Sequence, residues 1–123
     1  MPDFPIVDTH LHIWDLNRLR YPWLASVPKL NRSHLIEDYR RACGSVQVAK
    51  MVFLQCECDP AQSEAEAEWV TAVARSEPRI RGIVAQAALE KGAAIESALA
   101  RLAANPLVKG IRRLIQGEQD PEV

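Results

Sequence analysis

Lys50-Met51-Val52-Phe53-Leu54-Gln55-Cys56-Glu57, followed by Cys58-Asp59-Pro60-Ala61-Gln62, is the stretch whose reading decides the fold. Its apolar residues run unbroken until the C-terminal end, the pattern of a strand covered on both faces, as in a parallel sheet, and unlike an alternating strand with one wet face. A helix start follows at once. Asp59 can cap, Pro60 suits the first helical position, and Gln62 can close a capping box. The stretch therefore reads as the strand-to-helix turn of a β/α unit.

The same alternation extends both ways. Upstream, Phe4 to His12 reads as a first strand, Trp14 to Arg32 as a long aromatic-rich loop, and Ser33 to Cys43 as a helix. Leu35, Ile36 and Tyr39 lie on one face of that helix, and Gly44 stops it. Downstream, the helix after Asp59 carries an apolar stripe of Trp69, Val70, Val73 and Ala74, with Glu64, Glu66 and Glu68 expected towards solvent or the helix N-terminus. Pro78 ends it. A third strand is expected within Ile80 to Leu89, centred on Gly82–Gln86. A helix from Gly92 to Ala104 and a fourth strand from Leu107 to Ile115 follow. Gln116 to Pro121 reads as a polar loop. The order βαβαβαβ implies parallel strands joined by right-handed crossovers. Two architectures accommodate it: an open doubly wound sheet, or the first half of a (β/α)8 barrel. No glycine-rich phosphate loop follows the first strand, which disfavours a dinucleotide-binding sheet.

Composition narrows the class. At 123 residues the chain is long enough for one domain with its own core. A net charge of −1 argues against a phosphate-backbone partner. No run of about 18 apolar residues is present, so no membrane-spanning helix is expected, and no secretory leader is read after Met1. Cys43, Cys56 and Cys58 lack zinc-knuckle spacing and read as reduced, packed thiols of a cytoplasmic protein.

If chemistry sits at the C-terminal ends of barrel strands, the sequence places distinct groups there. Every strand turns from apolar to polar at that end: His10 and His12 on the first, Gln55, Cys56 and Glu57 on the second, Gln86 on the third, and Arg112, Arg113 and Gln116 on the fourth. Residues i and i+2 of a strand share a side. His10 and His12 should thus converge, with Asp8 below them, either as ligands of a divalent metal such as zinc or as hydrogen-bond donors to a substrate carboxylate or lactone oxygen. A structural pair at a strand end is the alternative. Of two adjacent arginines one must point inward, where an unpaired charge is costly. Arg112 is the candidate to hold a substrate carboxylate in a bidentate fork, or else to pair with Glu57 or Asp8. Gln55 is a candidate inward polar contact, and Glu57 a ligand, an orienting acid, or a surface acid ahead of Asp59. Trp14, Tyr21 and Trp23 either wall a pocket or pin the long loop. His34, at a helix start, reads as a surface residue. No serine or cysteine nucleophile motif is present.

Val7-Asp8-Thr9-His10-Leu11-His12-Ile13-Trp14-Asp15 resembles the opening strand of the amidohydrolase-related metal-dependent hydrolases, the D-x-H-x-H signature. Tyr21-Pro22-Trp23-Leu24, Gln55-Cys56-Glu57 and Val108-Lys109-Gly110-Ile111-Arg112-Arg113 resemble, more narrowly, the lactonase-like branch that includes fuconolactonase and pyrone-dicarboxylate lactonase. The resemblance covers essentially the whole chain. It implies a (β/α)8 barrel that hydrolyses a lactone of a sugar acid or related carboxylated ring by water attack, with or without a divalent metal (zinc or manganese). His10 and His12 take the place of the first-strand histidines, as catalytic groups and metal ligands. Arg112 takes the place of the fourth-strand arginine that meets substrate, joined by Gln55, Trp14 and Tyr21 as substrate contacts. Such barrels need roughly 250 residues, so residues 1–123 are expected to form one partial domain, the first four β/α units. The later histidines and the catalytic aspartate of the resemblance have no counterpart here. A lone chain of this kind is expected to be weak or inactive, and its two open strand edges invite self-association. The competing expectation is a non-catalytic half-barrel that binds a ligand or associates with another chain.

Overall fold

The computed structural model describes residues 3–120 and 122. Met1 and Pro2, Pro121 of the polar tail, and Val123 lie outside the described residues. Four strands and three α-helices alternate along the chain: β1 (Ile6–Leu11), α1 (Ile36–Cys43), β2 (Val48–Leu54), α2 (Ser63–Ser76), β3 (Ile80–Gln86), α3 (Glu96–Ala103) and β4 (Val108–Arg112). All neighbouring strands are parallel. Their order in the sheet is β1-β2-β3-β4. That order separates the two architectures. A doubly wound sheet reverses direction at a switch point, whereas here every step advances the same way. With crossovers of one hand, constant advance puts all the helices on one face. Four parallel strands with intervening helices form half of a (β/α)8 barrel.

The helix-covered face is the core. Met51, Phe53 and Ile83 are fully buried there, with Ala85 beside them, under Ala67 and Val70 of α2, Leu102 of α3 and Ile36 of α1. The opposite face carries the cross-sheet row Leu54, Val84 and Gly110, which is only half-buried.

Element ends differ from the expected ones for local reasons. β1 starts at Ile6 because Pro5 has no N–H to give a ladder. The Ile6 N–H makes the first bond, to the Gln47 carbonyl at 3.0 Å. β2 stops at Leu54 because Glu57 takes a left-handed φ of 54° that a strand does not accommodate. The helix expected from Gly92 to Ala104 is divided. Leu89–Ile95 forms a 3-10 stretch broken at Gly92, whose φ is 55°, and α3 starts only at Glu96. Gly44 does end α1, at a φ of 53° and with its N–H on the Arg41 carbonyl. At the start of the second helical segment Asp59 caps as expected, accepting from the Ala61 N–H at 2.9 Å. Gln62 closes no capping box. Its Oε1 accepts the Arg20 N–H at 2.7 Å, and Arg20 pairs with Asp59 at 2.7 Å.

Those last bonds clasp the long loop to the 3-10 turn Pro60–Gln62 that leads into α2. The loop is ordered: 3-10 turns at Pro22–Ser26 and Pro28–Leu30 shape it, and Trp14 and His34 close its base with reciprocal backbone bonds of 2.9 Å. His34 is accordingly half-buried rather than on the surface, its ring edge-on to Trp14 at 4.9 Å.

Candidate functional site

His10 and His12 converge at the C-terminal end of β1. Their Nε2 atoms are 3.0 Å apart and their rings meet edge-on. The pairing register shifts between Asp8 and Leu11, so the strand bends where the histidines leave it. The His12 Nδ1 lies 3.0 Å from the Leu54 carbonyl, which only accepts. Nδ1 therefore carries the proton, the His12 Nε2 presents a bare lone pair, and the His10 Nε2–H donates to it. An imidazole anchored by Nδ1–H on a carbonyl with Nε2 facing outward is the arrangement of a metal-ligating histidine. Desolvation against the sheet holds the His12 pKa below its usual 6.5, and the charges of His10 and Arg112 act in the same direction, which keeps the lone pair free. With the His10 proton moved to its Nδ1, the 3.0 Å separation lets one ion reach both nitrogens at about 2.0–2.1 Å. Among the described residues no third His, Cys, Asp or Glu gathers with the pair into a metal-sized cluster. The pair fits as two ligands of a larger set.

Asp8 supports this end of the strand from behind. Its Oδ1 accepts the His10 N–H at 3.0 Å and its Oδ2 accepts the Tyr39 hydroxyl of α1 at 2.7 Å. Each oxygen holds one partner, so Asp8 ties the histidine end of β1 to α1.

Arg112 and Arg113 part company, as adjacent strand residues must. Arg113 is held between Glu90 and Glu118, at 2.8 Å each. Arg112 pairs with neither Glu57 nor Asp8: its Nη2 donates to the Gln55 carbonyl at 2.7 Å, and its buried Nε has no partner among the described residues. A half-buried guanidinium satisfied by one neutral carbonyl keeps capacity for an anion.

Gln55 is fully buried. Its Nε2 donates to the Glu57 carboxylate at 2.6 Å and its Oε1 accepts the Glu57 N–H at 2.7 Å. The two residues brace the strained turn at Glu57, and Gln55 reaches Arg112 through its backbone. Trp14 and Tyr21 are also buried with their polar atoms engaged. The Trp14 indole donates to the Arg32 carbonyl at 2.7 Å, and the Tyr21 hydroxyl to Glu66 at 2.8 Å. With Trp23, T-shaped against Trp14 at 5.7 Å, they form the packed underside of the loop.

Comparison with known proteins bears on the fold. No family model matches the chain. It is 33% identical over 100 residues to the uncharacterized protein y4mH of Sinorhizobium fredii, across 74% of this chain and 34% of that protein. Among solved structures it superposes on an amidohydrolase 2 from Bifidobacterium longum subsp. infantis with a TM-score of 0.56 and 26% identity, covering 67% of this chain and 32% of that one. The fold matches that of an amidohydrolase 2. The chain spans about a third of the length of either protein.

Within this amidohydrolase 2 fold, two groups near the histidines escape a reading of the sequence. Cys56 lies 44 residues from His12, yet its Sγ is 3.3 Å from the His12 Nδ1 and 3.3 Å from the Leu54 carbonyl that anchors it. The three cysteines are free thiols, Cys56 and Cys58 buried. Burial raises both, Cys58 to about 12, so neither is a ready nucleophile. Glu66 is the larger correction. Expected towards solvent or the helix N-terminus, it is 1% exposed. The signal was present, since Glu66, Val70 and Val73 sit at i, i+4 and i+7 on one helix face.

Proposed function

We propose that this chain contributes the electrophilic and substrate-anchoring side of a lactonase-like hydrolase site. The amidohydrolase 2 fold and the partial barrel support a hydrolase function in general. The observation that carries the finer reading is the convergence of the two Nε2 atoms, with His12 already fixed in the ligating tautomer, beside an arginine without a carboxylate partner. The substrate is a lactone of a sugar acid or a related carboxylated ring. Water adds to the ring carbonyl carbon, the bond from that carbon to the ring oxygen breaks, and the ring oxygen takes a proton to become an alcohol. A divalent ion held by His10 and His12, zinc or manganese, supplies Lewis acidity at the carbonyl oxygen when bound. Arg112 holds the substrate carboxylate and so fixes which ring carbon faces the histidines. Both oxygens of Asp8 and of Glu66 are hydrogen-bonded and one oxygen of Glu57 is held by Gln55, and none of the three is assigned as the base for water.

The test is binding and turnover by the purified chain. Calorimetry with zinc or manganese should show one site, abolished in His12→Ala. A carboxylated lactone, or its ring-opened hydroxy acid, should bind more tightly than a neutral lactone, and Arg112→Met should erase the difference. Absence of both ion binding and this discrimination would overturn the reading. One observation favours a second reading, a non-catalytic half-barrel that associates through its rim: β1 and β4 each have a single neighbouring strand among the described residues, and the inner row stays half-buried. Light scattering that shows a concentration-dependent dimer, together with ligand binding but no hydrolysis, would select it.

A further inference from the structure

Three groups position the Leu54–Cys56 segment, and that segment positions His12. The Leu54 carbonyl accepts the His12 Nδ1–H at 3.0 Å, and the Cys56 thiol packs against the same nitrogen at 3.3 Å. The segment starts at Leu54, the last residue of β2, and beyond it the sheet holds the backbone only through the Gln55 N–H bond to the Val84 carbonyl, 2.9 Å, and the Arg112 bond to the Gln55 carbonyl, 2.7 Å. Two side chains from outside the sheet take over. The Trp23 indole donates to the Cys56 carbonyl at 2.8 Å. The Glu66 carboxylate accepts the Cys56 N–H, at 3.3 and 3.4 Å to its two oxygens, while its Oε2 accepts the Tyr21 hydroxyl at 2.8 Å. Glu66 is thus a buried acceptor between α2, the long loop and the end of β2. A helix face that otherwise buries Val70 gains nothing in packing from a carboxylate there.

We infer that Glu66, braced by Tyr21, is a positioning residue that fixes the His12 imidazole by holding the Leu54–Cys56 segment in register with β1. Glu66 touches neither the imidazole nor any reacting atom. It acts through the Cys56 N–H and the Leu54 carbonyl. The long loop becomes part of the device, because Tyr21 and Trp23 both lie on it. Displacing the loop would release the segment and let the His12 ring turn. The inference extends the ligand role proposed for His12, but its geometric part stands whether or not a metal binds.

The experiment uses the full chain with nitrogen-15-labelled histidine. Long-range proton–nitrogen spectra report the tautomer of each ring. In the native protein His12 should appear as the Nδ1–H form. Glu66→Leu removes the acceptor of the Cys56 N–H, and Tyr21→Phe removes only the hydroxyl brace. Both should move His12 towards a mixture with the Nε2–H form. Circular dichroism should stay native, and the His34 ring, on the same loop base but outside the Glu66 contacts, should not move. Zinc affinity should fall about ten- to hundredfold in the same variants, the usual effect of losing a group that orients a ligand. Should Glu66→Leu not fold, Tyr21→Phe decides. Folded variants with an unchanged His12 tautomer would overturn the inference. If the native protein binds no zinc while the tautomer still responds, the metal reading fails and the positioning role stands.

Discussion

Replacing Glu66 by Gln should remove most of a decline in stability that the native chain shows as the pH rises through neutrality. Glu66 is 1% exposed, with one good hydrogen bond from Tyr21 and long ones from the Cys56 N–H. That does not replace the hydration of a carboxylate. Desolvation therefore dominates and raises its pKa from 4.5 to about 7. The Glu57 charge adds to the rise, while the Tyr21 and Cys56 hydrogen bonds and the Arg112 charge oppose it. Between those two values the folded protein holds a proton that the unfolded chain has released, so stability falls with pH. The contribution of the neutral carboxyl is complete below pH 4.5 and is lost as the pH rises through 7. The displacement amounts to about 3 kcal/mol, a large share of the 5–15 kcal/mol that holds a typical domain together. Gln cannot ionise, so this side chain's pH-dependent contribution is absent from the variant. Urea unfolding followed by fluorescence of the three tryptophans, from about pH 4.5 to about pH 8 with a shared m-value, gives the two stability profiles. Their difference should change by about 3 kcal/mol across the window, in favour of the variant at the alkaline end. Parallel profiles would show that Glu66 is not buried as described.

Glu77 should behave in the opposite sense. Its carboxylate accepts from Arg79 at 2.7 Å and Arg40 at 2.8 Å, Arg79 being the main reason that its pKa drops to about 2. Its contribution is therefore present above pH 4.5 and lost as the pH falls towards 2. Since the two arginines are part-exposed, Glu77→Gln should lose about 1–2 kcal/mol at neutral pH and little at pH 2 by urea titration; an equal loss at both would rule out the ion pairs as its source. Phe53→Ala empties a fully buried site at the centre of the sheet and should cost about 3–5 kcal/mol with an unchanged m-value; a loss below about 1 kcal/mol would contradict that core position. Arg112→Lys keeps the charge but not the fork, and should weaken binding of a carboxylated ligand about tenfold or more in calorimetry; undiminished affinity would remove Arg112 from the anion site.

The fold was legible because two periodicities carried it. The unbroken apolar run Met51–Leu54 read as a buried strand, although the face carrying Leu54 is only half-buried, and Asp59-Pro60 read as the opening of a helical segment. The alternation alone did not give the direction of winding; the absent glycine-rich loop and the resemblance to barrel hydrolases pointed to the half-barrel. A one-way order and a reversed order share one pattern of elements, and only the sheet order decides between them. Boundaries failed where one backbone angle overrode the pattern, at Glu57 and at Gly92. Left-handed residues inside an apolar or helical stretch leave no periodic trace.

The site divides along the same line. His10 and His12 were legible as a pair because i, i+2 spacing is a local rule, and the register shift after Asp8 bends the strand without separating them. Arg112 was legible as an anomaly, a charge on an inward strand position. What fixes these groups was mostly not legible, because it depends on contacts between distant segments: Cys56 on His12, Tyr39 on Asp8, Tyr21 on Glu66. Glu66 is the instructive exception, since its place on the Val70–Val73 stripe was local information, overridden by the expectation that acidic residues face water. A charge on an apolar stripe should be read as a question about its partner. Here the partners are a tyrosine on a loop and a peptide N–H at a strand end, and both lead back to the histidine.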